Sequence, residues 1–308
     1  MRSALPAGPV PARTGLGLID GCHVALLAVL APIAVAGVRD AASWLRLAAF
    51  WVPALLLVAG NVALRRRDPG RARDLALFAT PVLTLFLLFE SLFVLIPAVR
   101  AVRYDDVLAA ADRWLLGVDA TLWMEQWNRP WLDDFFFVVY MLYFPMPLVT
   151  LGWLFARRRF RDLEQAVFVF LACYYPSYLL YIAVPTAGPH VWFAAAHTVP
   201  LDGVWLAQPI HALHAFLEPS KVDAFPSVHG AILLTTMFTA WRFQRWLFWA
   251  YVPLALAILV SLVYTRNHYV VDVLAGAGIA VVTALAAHRI WPALHPRCVP
   301  HFGRTEPV

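Results

Sequence analysis

Residues 75–98 read LALFATPVLTLFLLFESLFVLIPA, and Glu90 is the one ionisable residue among them. A helix must present about 20 mostly apolar residues to cross the hydrocarbon core of a bilayer. This stretch therefore predicts a transmembrane helix. Because an ionisable group at that depth is costly in lipid, Glu90 is a candidate for a polar contact or for part of a substrate path.

Seven other runs share this pattern, so the chain has eight candidate spans. The composition agrees, because 62% of the residues are hydrophobic and only 14% are charged, whereas soluble globular chains are nearer half and a quarter. We therefore expect an all-α fold, a polytopic transmembrane helix bundle. The eight candidates cover residues 18–38, 45–64, 75–98, 133–155, 165–186, 227–242, 246–265 and 269–289.

The distribution of basic residues predicts the orientation of the bundle. Eight spans place both termini on one side, together with the loops 65–74, 156–164 and 242–245. That side carries 16 of the 24 Lys and Arg residues, so the positive-inside rule makes it cytoplasmic. We expect a multi-pass protein of the plasma or inner membrane of a bacterium. No soluble basic domain is present to bind nucleic acid, despite the net charge of +5.

The chain divides into three predicted parts. Residues 1–100 form a cytoplasmic tail and three additional transmembrane helices, residues 101–290 form a catalytic transmembrane domain, and residues 291–308 form a second cytoplasmic tail. Within the middle part, the acidic and amphipathic segment 104–130 is expected to be a helix that lies in the membrane interface. Residues 188–225 are expected to be a long loop of the kind that serves as a lid or binding loop.

Three polar clusters lie at the ends of predicted spans. Residues 185–190 (PTAGPH) end the fifth span, residues 225–230 (FPSVHG) begin the sixth, and residues 264–272 (YTRNHYVVD) begin the eighth. The predicted topology brings all three to the non-cytoplasmic face. A second pair of histidines, His211 and His214, has helical spacing but no supporting Cys or Glu, and we interpret it as part of a solvated loop.

His268 and Asp272 are four residues apart and would share one face of a helix. A carboxylate there can accept a hydrogen bond from one ring nitrogen, which leaves the other nitrogen free to attack as a nucleophile. Ionisable groups within a span are usually functional. The alternative is a structural His–Asp pair near the interface.

Residues 226–229 (PSVH) are typical of a helix start, with Pro in the first turn and the Ser227 hydroxyl as a cap. The free backbone N–H groups at such an end attract an anion such as phosphate. His229 would then lie beside the phosphate and protonate a leaving oxygen as a general acid. The alternative is an ordinary cap followed by a solvated His.

Other candidates for binding phosphate oxygens lie on the same side. Arg266 offers planar, bidentate donors, although a lone Arg beside a span is more often an anchor for lipid headgroups. Lys221 adds positive charge. Gly230 and His190, together with Ser227, complete the predicted phosphate-binding group.

These residues give the sequence a family resemblance. The motifs FPSVH (225–229), RNHYVVD (266–272) followed by VLAG, and DRWLLGVD (112–119) resemble the type 2 phosphatidic acid phosphatase superfamily, which shares its site with vanadium-dependent haloperoxidases. The match looks closer to its inositol-phosphorylceramide-synthase-like branch, the inositolphosphotransferases, and covers roughly residues 105–290.

The resemblance implies a role for each residue. His268 would form a phosphohistidine, Asp272 would orient it, and His229 would be the acid for the leaving alcohol. Ser227, Arg266 and Lys221 would hold phosphate oxygens, with no metal and no cofactor.

Two departures from the family pattern concern the phosphate pocket. Residues 185–190 lack the Lys and the Arg-Pro pair of the family's first motif, and Leu262 stands where the wider superfamily has an Arg. Arg266 is the candidate substitute.

The sequence therefore predicts an integral membrane enzyme for a lipid phosphate or phospholipid. With water as the acceptor it would be a lipid phosphatase, and with an alcohol it would be a phosphotransferase. The alternatives are a non-catalytic lipid-binding or transport protein and, third, a purely structural bundle. Membrane lipids are the expected surroundings, and the oligomeric state is not specified by the sequence.

Overall fold

The structure, a computed structural model, describes residues 16–217 and 222–302. Within these residues the protein is built from thirteen α-helices and two short 3-10 helices, with isolated bridges in place of β-strands. The helices are α1 (Leu18–Gly37), α2 (Ala41–Arg65), α3 (Arg71–Val99), α4 (Asp105–Leu116), α5 (Ala120–Met124), α6 (Pro130–Met141), α7 (Pro145–Ala156), α8 (Phe160–Ala183), α9 (Pro189–Trp192), α10 (Ala207–Leu217), α11 (Val228–Phe243), α12 (Arg245–Tyr264) and α13 (Val270–Leu294).

Seven helical segments of the described chain are long and apolar enough to cross a membrane. They are α1, α2, α3, the α6–α7 pair, α8, α12 and α13, and they coincide with seven of the eight predicted spans. This confirms the all-α, polytopic fold and makes the chain a multi-pass membrane protein. The division into domains stays a prediction.

The remaining predicted span is α11, which has 16 residues. At 1.5 Å per residue it is about 24 Å long, which is shorter than the hydrocarbon core of about 30 Å. Helices α7, α8, α12 and α13 pack around it, and eleven of its sixteen residues are buried. Because α11 is surrounded by protein, its polar first turn is sheltered from lipid.

The connection from α11 to α13 brings two distant segments of the chain to the same end of the bundle. Helix α11 is followed after Gln244 by α12, which packs against it and returns to the level at which α11 began. Helix α13 then starts beside the start of α11. Gly276 permits this close approach, because a Cβ there would collide with the carbonyl oxygen of Ser227.

Two predicted segments differ from expectation. The segment 104–130 is three helical pieces rather than one helix, because Gly117 takes the left-handed conformation at φ 77° and ends α4. The segment 188–225 is not a plain loop, because it contains α9 and α10. Asp134 of α6 accepts hydrogen bonds from four consecutive backbone N–H groups at residues 204–207, and this stabilises the start of α10.

The end of the bundle opposite to the starts of α11 and α13, which we name the arginine end, holds a separate buried polar cluster. Arg65 at the end of α2 forms an ion pair with Asp20 at the start of α1, with 2.6 Å between Nη2 and Oδ2, and both side chains are fully buried. Asn61 donates a hydrogen bond to Asp20 and accepts one from Thr80 of α3. This cluster joins the first three helices.

Candidate functional site

Backbone hydrogen bonds join the three polar clusters at one end of the bundle, which we name the histidine end. Ala224 N donates to Thr186 O at 3.0 Å, and His190 N donates to Arg266 O at 2.8 Å. Ser227 N donates to Asp272 O at 3.1 Å. The structure therefore brings together the three segments that the sequence places far apart.

His268 and Asp272 form a pair, although not on one helix face as the spacing suggested. Helix α13 begins at Val270, so His268 lies in the non-helical segment before it. Asp272 reaches back over the helix start, and its Oδ2 accepts a hydrogen bond from Tyr269 N at 2.9 Å. Its Oδ1 lies 3.1 Å from His268 Nδ1, and both side chains are buried. A capping arrangement therefore orients the carboxylate toward the imidazole.

His229 lies in the first turn of α11, as the sequence predicted. The Ser227 side chain caps this helix by accepting a hydrogen bond from Gly230 N at 3.2 Å, whereas Pro226 precedes the cap instead of entering the first turn. His229 Nδ1 lies 2.8 Å from His268 Nε2. The two imidazoles therefore contact each other directly.

The chain of hydrogen bonds continues beyond His229 to two residues that we did not assign to the site from sequence. The Tyr140 hydroxyl of α6 lies 3.1 Å from His229 Nε2 and 2.8 Å from His214 Nε2. The expectation of a solvated His214 is wrong, because α10 packs against α6 and buries this ring. Its spacing from His211 was a visible signal, but Tyr140 stands in an apolar run that offers none.

Two carboxylates of α4 hold the segments around His268. Asp105 accepts hydrogen bonds from Ala187 N, Gly188 N and the Tyr269 hydroxyl. Asp112 accepts from the N–H groups of Val270 and Val271, at 2.9 and 2.8 Å, and so caps α13. Burial raises the pKa of Asp112, and these two hydrogen bonds oppose the increase. The motif at 112–119 thus contributes a helix cap.

The predicted phosphate ligands are less well placed than the histidines. Arg266 Nη2 lies 2.9 Å from Glu125 Oε1 and donates to Val199 O at 2.6 Å, so Glu125 already balances its charge. Burial lowers the pKa of Arg266, and Glu125 opposes that decrease. The Gly230 N–H is engaged by Ser227. His190 is the second residue of α9 and is partly buried, and Lys221 lies outside the described residues.

An apolar cavity of about 190 Å³ adjoins the histidines. Its walls come from α3, α7 and α8, and include Leu85, Phe89, Leu148 and Phe170. His214, Asp223 and His229 are the ionisable imidazole and carboxyl side chains that line the same cavity. Such a shape suits an amphiphile whose apolar chain lies between helices and whose polar group meets the imidazoles.

The described chain offers no group of three or more His, Cys, Asp or Glu side chains that is arranged to hold a metal ion. The titratable groups at this end instead form a line, in which each member contacts the next. Such an arrangement can pass protons and present one imidazole nitrogen as a nucleophile.

Comparison with protein families matches residues 106–286 to the PAP2 superfamily. Comparison with curated proteins and with solved structures gives no match. The matched region spans more than half of the chain and contains His229, His268, Asp272, Tyr140 and His214. The chain therefore belongs to the PAP2 superfamily, and this membership supports an enzyme of the phosphatase or phosphotransferase type that acts on lipid phosphates.

Proposed function

We propose that this protein transfers the phosphoryl group of a lipid phosphate or phospholipid through a phosphohistidine on His268. The observation that carries the proposal is the contact between the His229 and His268 rings, with Asp272 behind His268 and an apolar cavity beside His229. Two imidazoles and a carboxylate supply a nucleophile, its orienting group and an acid.

The contacts of the two rings support a part for each nitrogen. Because Asp272 Oδ1 lies 3.1 Å from His268 Nδ1 and a carboxylate can only act as an acceptor, we place the His268 proton on Nδ1, which presents the Nε2 lone pair for attack on phosphorus. His229 Nδ1–H then donates to the His268 Nε2 lone pair, with 2.8 Å between the two nitrogens. This distance leaves no room for a phosphorus atom between the rings. A bound substrate must replace that hydrogen bond, and the His229 proton then meets the leaving oxygen.

The acceptor of the second step decides between the two reactions. Water would release inorganic phosphate or a headgroup phosphate, while a lipid or polyol hydroxyl would give a new phosphodiester or phosphomonoester. The resemblance of 112–119, 225–229 and 266–276 to inositol-phosphorylceramide-synthase-like enzymes supports transfer. The chemistry at His268 is the same in both reactions.

The proposed location follows from the distribution of charge. With both termini cytoplasmic, the histidine end faces the non-cytoplasmic leaflet of a bacterial plasma or inner membrane. Reporter fusions to the C-terminus and to a loop at the histidine end would test this orientation. A C-terminal reporter that is active only outside the cytoplasm would contradict it.

The test of the proposed reaction uses purified protein in lipid nanodiscs with a ³²P-labelled lipid phosphate. We expect an acid-labile, base-stable phosphoprotein that His268→Ala abolishes. The matched control is His288→Ala, since that imidazole lies in α13 and contacts Gln165 and Arg242. Turnover that persists in both His268→Ala and His229→Ala would contradict the enzyme assignment, and candidate alcohols added to the assay would separate transfer from hydrolysis.

A lipid-binding or transport protein without catalysis is the second candidate. The pairing of Arg266 with Glu125 favours it, because this ion pair removes a cation that a phosphate pocket would use. Saturable binding of lipid phosphate without any turnover by the wild-type protein would support this candidate over the enzyme.

A further inference from the structure

We propose that Tyr140 and His214 form a proton relay that supplies, through His229, the proton taken up by the leaving alcohol. This inference rests on the proposed phosphohistidine reaction. It assigns positioning and proton-transfer roles to two residues from α6 and α10, elements that lie outside the motifs at 225–230 and 264–272.

The geometry forms a single line of contacts. It runs from Asp272 to His268 at 3.1 Å, to His229 at 2.8 Å, to Tyr140 at 3.1 Å and to His214 at 2.8 Å. The three contacts from His268 Nε2 to His214 are hydrogen bonds, and the contact between Asp272 and His268 is at ion-pair distance. The line therefore connects the nucleophile to an imidazole on a separate helix without a gap.

One set of tautomers satisfies the whole line. Asp272 accepts, so His268 donates from Nδ1 and accepts at Nε2. His229 then donates from Nδ1 and accepts at Nε2, and the Tyr140 hydroxyl is its donor. The Tyr140 oxygen accepts from His214 Nε2–H. Every donor points toward Asp272, which is the polarity that a relay of protons toward the reacting phosphate requires.

Burial explains why His229 needs such a relay. The His229 side chain is 8% exposed and Tyr140 is 1% exposed, and the Tyr143 ring packs edge-on at 4.5 Å between centroids. If His229 gave up its Nδ1 proton without receiving another, it would become an imidazolate in a poorly solvated site. Charging a buried group in this way is costly, so a second proton must arrive as the first one leaves.

The proton count balances in the first step. His268 Nε2 forms a bond to phosphorus while the bond from phosphorus to the alcohol oxygen breaks. His229 Nδ1 gives its proton to that oxygen, and His229 Nε2 takes the Tyr140 proton. Tyr140 takes the Nε2 proton of His214, whose Nδ1 takes up a proton from solvent, so that no ring in the line carries a charge.

The second step reverses the transfers. The oxygen of water or of an acceptor alcohol attacks phosphorus, and the bond from phosphorus to His268 Nε2 breaks. The proton of the attacking hydroxyl passes to His229 Nδ1, and the relay returns one proton to His214 Nε2 while His214 Nδ1 releases one to solvent. The protein is restored, and no metal, oxidant or other reagent enters the balance.

The test compares leaving groups in the single-turnover formation of the phosphohistidine. An alkyl alcohol must be protonated as it leaves, whereas p-nitrophenolate leaves without a proton. We expect Tyr140→Phe and His214→Gln to slow release of the alkyl alcohol on the order of 10²-fold, the low end for general acid catalysis, and to leave p-nitrophenolate release nearly unchanged.

Matched variants separate a relay from simple positioning. Tyr251→Phe removes a buried hydroxyl that donates to Met146 O on α7 and is expected to keep both rates. His214→Gln retains an N–H donor for Tyr140 but cannot release and regain a proton, so it should resemble His214→Ala. Wild-type rates in His214→Gln, or equal slowing of both leaving groups in Tyr140→Phe, would overturn the relay. An active His268→Ala variant would instead overturn the proposed function.

Discussion

The histidine end and the arginine end both bury polar side chains, but they connect them differently. At the arginine end, Arg65 and Asp20 neutralise each other and Asn61 bridges Asp20 to Thr80, so an ion pair is the centre of the cluster. At the histidine end, imidazoles and a phenol form an open line that borders a cavity.

The difference shows that burial of polar groups does not by itself mark a functional site. In an ion pair of Arg with Asp, the Arg only donates and the carboxylate only accepts, so a proton cannot move through the pair without breaking it. Imidazole and phenol groups can donate and accept at once. Placed beside open space for a substrate, they can exchange protons with it, and such groups are candidates for catalysis.

The largest expected effect tests the histidine end. Asp272→Asn should lower kcat on the order of 10³–10⁴-fold, because an amide in place of the carboxylate no longer selects the His268 tautomer that exposes Nε2. Thermal unfolding in detergent should change much less than activity. A variant that retains wild-type turnover would show that the 3.1 Å contact does not orient the nucleophile.

The second prediction tests the arginine end. Arg65→Ala leaves Asp20 as an uncompensated buried charge and should lower the free energy of unfolding by about 3–5 kcal/mol. Turnover per folded molecule should be preserved. The control is Arg113→Ala, because its ion pair with Asp119 is partly exposed and should contribute less than about 1 kcal/mol. Equal destabilisation by the two substitutions would contradict the comparison.

The third prediction tests the contact that aligns the two histidines. Gly276→Ala should destabilise the protein by about 1–3 kcal/mol, because the new methyl group meets the Ser227 carbonyl and overpacks the α11–α13 contact. Turnover should also fall, since the starts of the two helices must separate. Gly278→Ala, two residues along the same helix, meets no atom within 4 Å and should be neutral or slightly stabilising in the same unfolding and activity assays.

The smallest expected effect is a pH dependence at the rim of the histidine end. Burial lowers the pKa of His197 from 6.5 to about 4, with Arg266 adding to the decrease and Glu125 opposing it. Between pH 6.5 and pH 4, His197 therefore binds a proton more readily in the unfolded chain than in the folded protein. The folded state is fully stable with respect to this group above pH 6.5 and loses stability as the pH falls toward 4. Because the ring is partly exposed, we expect about 1 kcal/mol.

The measurement is the difference in melting temperature between the wild-type protein and His197→Gln from pH 7.5 to pH 4.5. Subtracting the two melting temperatures cancels the contribution of other titrating groups. The melting temperature of the wild type, relative to that of the variant, should be higher at pH 7.5 than at pH 4.5. A difference that does not change with pH would contradict the assigned cause.

The sequence by itself determined the fold class of the protein and predicted the centre of its candidate site. Hydropathy depends on local composition, so seven of eight spans could be predicted within a few residues. The residues His229, His268 and Asp272 stand in short motifs at predicted span ends, and the alternation of the predicted helices was enough to predict that they lie together.

Only the tertiary structure decided which distant groups those residues contact. Tyr140 lies 89 residues before His229 in sequence and His214 lies 74 residues after Tyr140, while Arg266 pairs with Glu125 across 141 residues. Such contacts depend on how helices cross and on where α10 begins, which Asp134 of another helix controls. Local patterns carry no information about these packing geometries, because one amphipathic or apolar segment is compatible with many neighbours.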